Sequence, residues 1–255
     1  MAADSRTPRL AVLIDADNTS ARIASGLFEE IAKIGEASVR RIYGDFSGAR
    51  LKGWSDILFT HAIIPHQNFA YVSGKNASDI ALVIDAMDLL HSGRFDGFCL
   101  VSSDSDFTRL AARIREQGTD VYGFGEQKTP ESFRQACRRF IYTENLLPEA
   151  PQAGKAEPPE AAQGKALKQP PSAATPLIRK VIDQEGGDWV SLGRIGQLLG
   201  NLFSDFDSRT YGHGKLVDLV EKTGAFEIKR EEARGVYIRA KPRGGKPSTH
   251  KKPSA

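Results

Sequence analysis

Cysteine is nearly absent from this chain, with Cys99 and Cys137 the two copies in 255 residues. A disulfide scaffold is therefore excluded, and no cysteine or histidine cluster has the spacing of a zinc site. His61 and His66 stand five apart with no second pair nearby, so they read as structural or surface residues. No apolar run approaches the ~18 residues that a membrane span requires. Met1 to Arg9 lacks the apolar core of a secretory signal. Cys99 falls in a predicted buried strand, and both cysteines read as reduced thiols, so the expected setting is cytoplasmic.

Charge of one sign is not in excess overall, but it is unevenly spread. Up to Leu147 there are 17 basic and 19 acidic residues, and from Pro148 onward 18 basic and 13 acidic. The stretch from Arg239 to Ala255 holds six basic residues and no acidic one. A slightly acidic first half beside a basic second half suits a metal-binding catalytic domain with a nucleic-acid-binding appendage.

Hydrophobic residues make up 40% of the chain, enough for one or two ordinary domains. Residues 148–174 are rich in Pro, Ala, Gln, Gly and Lys and too poor in aliphatics to offset their ordering entropy. They read as a flexible linker between a first domain at 7–147 and a second at 175–240, with a disordered basic tail at 241–255. The first domain alternates strand patterns (9–15, 38–44, 59–64, 97–102, 120–124) with helix patterns (18–34, 76–91, 105–117, 129–137). A short strand is expected at 139–142. Such alternation predicts a parallel sheet covered on both faces. The second domain reads as three helices, at 175–185, 190–199 and 211–223, followed by a β-hairpin. That is the order of a winged helix.

Two apolar strands end in acids. Leu10-Ala-Val-Leu-Ile runs into Asp15-Ala-Asp17-Asn18, and Phe98-Cys-Leu-Val into Ser102-Ser103-Asp104-Ser105-Asp106. In open α/β sheets ligands bind at the carboxyl ends of the strands. A carboxylate after four apolar strand residues is costly unless it is paired or metal-bound, which singles out Asp15. Asp17 could cap the following helix. One cap explains one of Asp104 and Asp106, not both.

The helix predicted over 76–91 adds further acids. Ile80, Val83, Ile84 and Met87 are expected to form its buried stripe. At about 100° per residue Asp79, Asp85 and Asp88 cannot all face one ion. Asp79, in the first turn, is the candidate that reaches the crevice. Asp88 reads as solvated, and Asp85 could bridge to a basic residue. Asp15, Asp79, Asp104 and Asp106 together would hold Mg²⁺ or Mn²⁺ through oxygen ligands. Such a metal acidifies water and offsets phosphate charge. Asn18 could contact the water or the phosphate, Ser103 could orient a carboxylate, and Lys75 could neutralise a phosphate.

At these residues the first domain resembles the NYN family, a branch of the PIN-like nucleases. The resemblance rests on Leu13-Ile-Asp15-x-x-Asn18, on Lys75-x-x-x-Asp79-Ile-x-Leu-x-x-Asp85, and on Val101-Ser-x-Asp104-x-Asp106-Phe107. Gly118 and Val121-x-Gly123 complete it. It implies an α/β/α sandwich and metal-dependent hydrolysis of RNA phosphodiester bonds, with Asp15, Asp79, Asp104 and Asp106 in the family's acidic positions. The second domain resembles the LOTUS (OST-HTH) winged helix through Trp189-Val-x-Leu, Ile195-Gly-x-x-Leu, Phe206-Asp-x-Arg-x-Tyr211-Gly-x-x-Lys-Leu216, Phe226-x-Ile and Val236-Tyr-Ile. That resemblance implies RNA binding, with Arg209, Lys215, Lys229 and Arg230 as candidate phosphate contacts. DNA stays open as a substrate and a homodimer as an assembly.

Two other readings compete. Asp15-Ala-Asp17-Asn-Thr19 also spells the Asp-x-Asp-x-Thr of haloacid-dehalogenase-like phosphatases, but the later lysine and acidic pair of that family come in the wrong order here. The second alternative is a non-catalytic RNA-binding adaptor with a vestigial acidic site.

Overall fold

In the computed structural model the described residues are 6–68, 77–147, 168–186, 188–231 and 235–242. Lys75, most of the expected linker and the basic tail lie outside them. The chain divides into two compact units, Met1–Leu167 with Phe203–Asp207, and Lys168–Leu202 with Ser208–Ala255. Among the described residues no helix is long and apolar enough to cross a membrane.

The first unit is a three-layer α/β/α sandwich. Its strands are β1 (Arg9–Asp15), β2 (Glu36–Gly44), β3 (Ile64–Gln67), β4 (Gly97–Val101), β5 (Asp120–Gly125) and β6 (Arg139–Tyr142). All pair in parallel, in the order β3-β2-β1-β4-β5-β6. Its helices are α1 (Ala24–Ala32), α2 (Lys52–Ser55), α3 (Ala77–His91), α4 (Thr108–Glu116) and α5 (Glu131–Ala136). Successive side chains of a strand face opposite layers. Leu10, Val12 and Ile14 of β1 accordingly pack with Leu27 and Ile31 of α1 and Trp54 of α2. Ala11 and Leu13 pack instead with Leu82 and Leu89 of α3 and Leu110 of α4. Each such buried aliphatic side chain stabilises the fold by at most about 1.5–3 kcal/mol.

The strand order runs away from β1 in one direction through β2 and β3, and away from β4 in the other through β5 and β6. The chain thus reverses between β1 and β4, and the crevice of such a sheet opens at the carboxyl ends of those two strands.

Three sequence expectations are corrected here. The strand expected at 59–64 begins only at Ile64, because residues 54–63 close hydrogen-bonded turns such as Leu58 N–H to Trp54 O, at 3.1 Å, and Ala62 N–H to Phe59 O, also at 3.1 Å. The helix expected from 18 starts as a 3₁₀ turn at Ala21–Ile23 and becomes α1 at Ala24; its cap is Ser20, not Asp17. The buried stripe of α3 is Leu82, Ala86 and Leu89, while Ile80 and Ile84 are 60% and 58% exposed. Val83 and Met87 of the expected stripe pack at its margin, and the helix orientation lets Asp85 take partners on β2: Arg41 and Tyr43 both donate to its carboxylate. Asp79 stands three residues before Leu82 and so extends the inward stripe.

The second unit holds α6 (Thr175–Glu185), α7 (Leu192–Leu202) and α8 (Leu216–Thr223). Its sheet is antiparallel in the order β7 (Val190–Ser191), β9 (Gly235–Ala240), β8 (Phe226–Glu231). This is a small winged-helix arrangement. Gly224 ends α8 in the left-handed region, at φ 65°, where a side chain would be strained.

Candidate acidic active site

The site begins with strand register. Ile14 of β1 lies opposite Val101 of β4, so the next residues, Asp15 and Ser102, meet at the switch point. Ser102 Oγ donates to Asp15 Oδ2 at 2.7 Å, and Asn18 Nδ2 donates to the same oxygen at 2.8 Å. Asp15 Oδ1 accepts the backbone N–H groups of Asp17, at 3.1 Å, and Asn18, at 3.3 Å. Asp15 is fully buried, and the roughly four lone-pair positions of its carboxylate are all engaged. Burial raises its pKa, against the hydrogen bonds from Asn18 and Ser102 that favour the anion. The orienting serine is thus Ser102 rather than Ser103, whose Oγ instead accepts the N–H of Glu126 at 2.8 Å.

Ser102 also accepts the backbone N–H of Asp104 at 3.0 Å. Asp104 then caps the 3₁₀ turn leading into α4 by accepting Asp106 N–H at 2.9 Å. Capping and a site role therefore coincide in one residue. The glycine at 125 is required by close approach: a Cβ there would lie 2.6 Å from the backbone oxygen of Ser102. Gly123 is explained by packing, since a Cβ would meet Phe140 at 2.5 Å.

Asp79, at the first turn of α3, completes the constellation. Burial, and then the charges of Asp15, Asp104, Asp17 and Asp106, push its pKa up to about 6. Five aspartates from three separate stretches of chain are thus brought within electrostatic reach. Asp85 is not among them, being taken by Arg41 and Tyr43, and Asp88 is exposed. Lys75 lies outside the described residues. Asp17 pairs with Arg50, which no local sequence signal announced. His61 stacks on Phe28 with ring centres 5.3 Å apart, and His66 lies against Tyr43 at 5.0 Å, so both are structural.

The donor set is all oxygen and the carboxylates repel one another, which fits a hard divalent cation. Among the described residues, no three His, Cys, Asp or Glu side chains stand in an arrangement that could hold a metal as they are. A cation would therefore rely on water for much of its shell, as Mg²⁺ commonly does. The phosphatase alternative still has its later lysine and acidic pair in the wrong order, and Asp15 would have to give up a hydrogen bond before it could act as a nucleophile or join a cation.

A polar pocket of about 490 Å³ adjoins Asp104. It spans the loops that follow β1, β4 and β5, from Asp17–Ser20 through Ser103–Ser105 to Glu126 and Lys128.

In the second unit the four basic candidates do not form one surface. Lys229 and Arg230 are neighbours on β8 and face opposite sides of the sheet. Lys229 pairs with Glu231 and Arg230 with Glu221 of α8. Lys215 caps α8, and Arg209 lies in the 3₁₀ turn Ser208–Tyr211.

Comparison with known proteins follows the same division. A family model of the NYN domain matches residues 9–146, and one of the OST-HTH/LOTUS domain matches residues 165–238. No curated protein matches the chain. A crystal structure of a protein of unknown function from Vibrio parahaemolyticus is 18% identical, covers 58% of this chain and 99% of its own, and superposes with a TM-score of 0.47.

Proposed function

Because the chain belongs to the NYN family of PIN-like nuclease domains and carries an RNA-binding OST-HTH/LOTUS domain behind it, we propose that it is a metal-dependent ribonuclease. One observation carries the reading: Asp79 is pressed upon by the charges of Asp15, Asp104, Asp17 and Asp106 at the switch point of the sheet. A divalent cation beside such a cluster would offset the mutual repulsion of its carboxylates. Asp79, Asp104 and Asp106 would hold Mg²⁺ or Mn²⁺. Asp15 would join them where the cation replaces the Asn18 amide on Oδ2.

When bound, the metal would acidify a water and offset charge on the phosphate. This chain's own groups do the rest. Ser102 holds the Asp15 carboxylate in place and ties it to the Asp104 backbone. Asn18, whose amide now donates to Asp15, would on release from it donate to the attacking water or a phosphate oxygen. The second unit captures RNA through cations that include Lys215 and Arg209, and the intervening segment raises the local RNA concentration at the acidic crevice. Two buried, unpaired cysteines support a reducing, cytoplasmic setting.

A non-catalytic RNA-binding adaptor is the second reading, and the lack of a ready three-ligand cluster among the described residues favours it. The deciding experiment is cleavage of a labelled mixed-sequence RNA with Mn²⁺, Mg²⁺ or EDTA, by the wild type and by Asp104→Asn. Metal-dependent cutting lost in the variant supports the nuclease. Salt-sensitive RNA binding with no cutting in any metal supports the adaptor.

A further inference from the structure

We propose that the polar pocket across the ends of β1, β4 and β5 seats the backbone of single-stranded RNA, with Arg50 and Lys128 as its phosphate contacts. This inference rests on the RNA reading above.

The pocket is lined by amide, hydroxyl and carboxylate groups, including Asn18, Thr19, Ser103 and Asp104, and so suits a polar ligand rather than an apolar one. Its acids at either end, Asp17 and Glu126, each hold a cation. Arg50 pairs with Asp17, and Lys128 Nζ lies 2.7 Å from Glu126. The two cationic side chains are 69% and 76% exposed. Ion pairs that open to water are weak, so an arriving phosphate can take over either cation.

Their placement is not incidental to the fold. Arg50 sits on the 3₁₀ turn Ala49–Leu51, pinned by buried Leu51 and Trp54. Trp54 Nε1 donates to Thr19 O at 2.9 Å, fastening that turn to the loop after β1. Lys128 follows β5. Strand order sets the two acids on opposite sides of the pocket, since Asp17 follows β1 and Glu126 follows β5, two strand spacings or about 10 Å apart, and Arg50 reaches the pocket's edge through Asp17. Asp104 lies between the two acids. An RNA strand joining the two cations would pass directly beside the acidic centre. The arginine can grip phosphate through two parallel hydrogen bonds, while the lysine acts as a point charge.

The test uses the full chain carrying Asp104→Asn, in Mg²⁺, with a labelled mixed-sequence single-stranded RNA followed by fluorescence anisotropy over a salt series. Arg50→Ala and Lys128→Ala should each weaken binding about three- to tenfold and lower the salt slope by about 0.7. Arg113→Ala, which removes a similar exposed pair with Glu116 at the far end of α4, should change neither. Loss of Arg50 also bares Asp17, so Arg50→Ala is repeated with Asp17→Asn. A double variant that stays weaker than Asp17→Asn alone supports direct contact. Full recovery in the double overturns it, because Arg50 would then merely screen Asp17. Binding that ignores both cations overturns the proposal while leaving the RNA reading intact. No salt-sensitive RNA binding by the parent chain overturns both.

Discussion

Two carboxylates on one helix have opposite circumstances. Asp85, midway along α3, receives Arg41 and Tyr43 from β2. Asp79, at the start of the same helix, is half-buried beside other acids, and burial and then their charges push its pKa up to about 6. The residue type is the same and the separation is under two turns. Asp85 fixes the helix on the sheet, and Asp79 is left in a state that a cation relieves. Asp15 has features of both: it is saturated by protein donors, yet it adds to the charge on Asp79. Asp85 meets donors that tie its helix to the sheet, whereas Asp79 meets mainly other acids, and on the nuclease reading proposed above that is where a cation would act.

That division has consequences at each position. Asp104→Asn should lower metal-dependent RNA cleavage by ~100-fold or more, while its denaturation midpoint stays close to that of the wild type. A variant that cleaves normally would remove Asp104 from the site. Asp85→Ala should behave the other way, losing about 2–3 kcal/mol of stability in urea, because Arg41 and Tyr43 are left without their acceptor. Should Asp85→Ala unfold like the wild type, the helix is held by its apolar stripe alone. Ser102→Ala should cost about 1–2 kcal/mol, since the buried Asp15 loses a charge-assisted hydrogen bond, and the Asp15 carboxyl should titrate higher by NMR.

The smallest effect concerns pH. The folded-state pKa of Asp79 is raised from 3.8 to about 6. Between those values the folded chain binds the proton more tightly than the unfolded one, so this group favours folding at low pH and the benefit is lost as pH rises through 6. Asp79 is partly exposed, so solvent screening leaves about 1 kcal/mol of the effect. Thermal melts between pH 4 and 7 without metal should show this trend in the wild type and not in Asp79→Asn. Adding Mg²⁺ at pH 7 should raise the wild-type midpoint. A flat wild-type profile would mean that Asp79 is neither so buried nor so close to the other acids.

Much of the fold was legible because its signals are local. An apolar run followed by acids marks β1 and β4 directly, and alternation with helical stretches implies the parallel sheet. The acidic residues could be singled out for the same reason. The rotation of α3 was not legible. Val83 and Met87 do pack against the core, but Ile80 and Ile84 face outward, and the face that carries Leu82, Ala86 and Leu89 is the one on which Asp85 also meets Arg41 and Tyr43. Ser102 was hidden by its neighbour, since either serine can follow a strand and only the parallel register selects the one beside Asp15.

The sequence by itself determined the alternation of strands and helices in the first unit, the acids at the strand ends and the apolar runs of β1 and β4, because each depends on residues a few positions apart. Tertiary structure alone decided which acids are neutralised and which are left in conflict. Asp15 meets Ser102 across 87 positions, and Asp17 meets Arg50 across 33. Partners that distant are chosen by strand pairing and helix packing, and the electrostatics of the site exist only once that packing is complete.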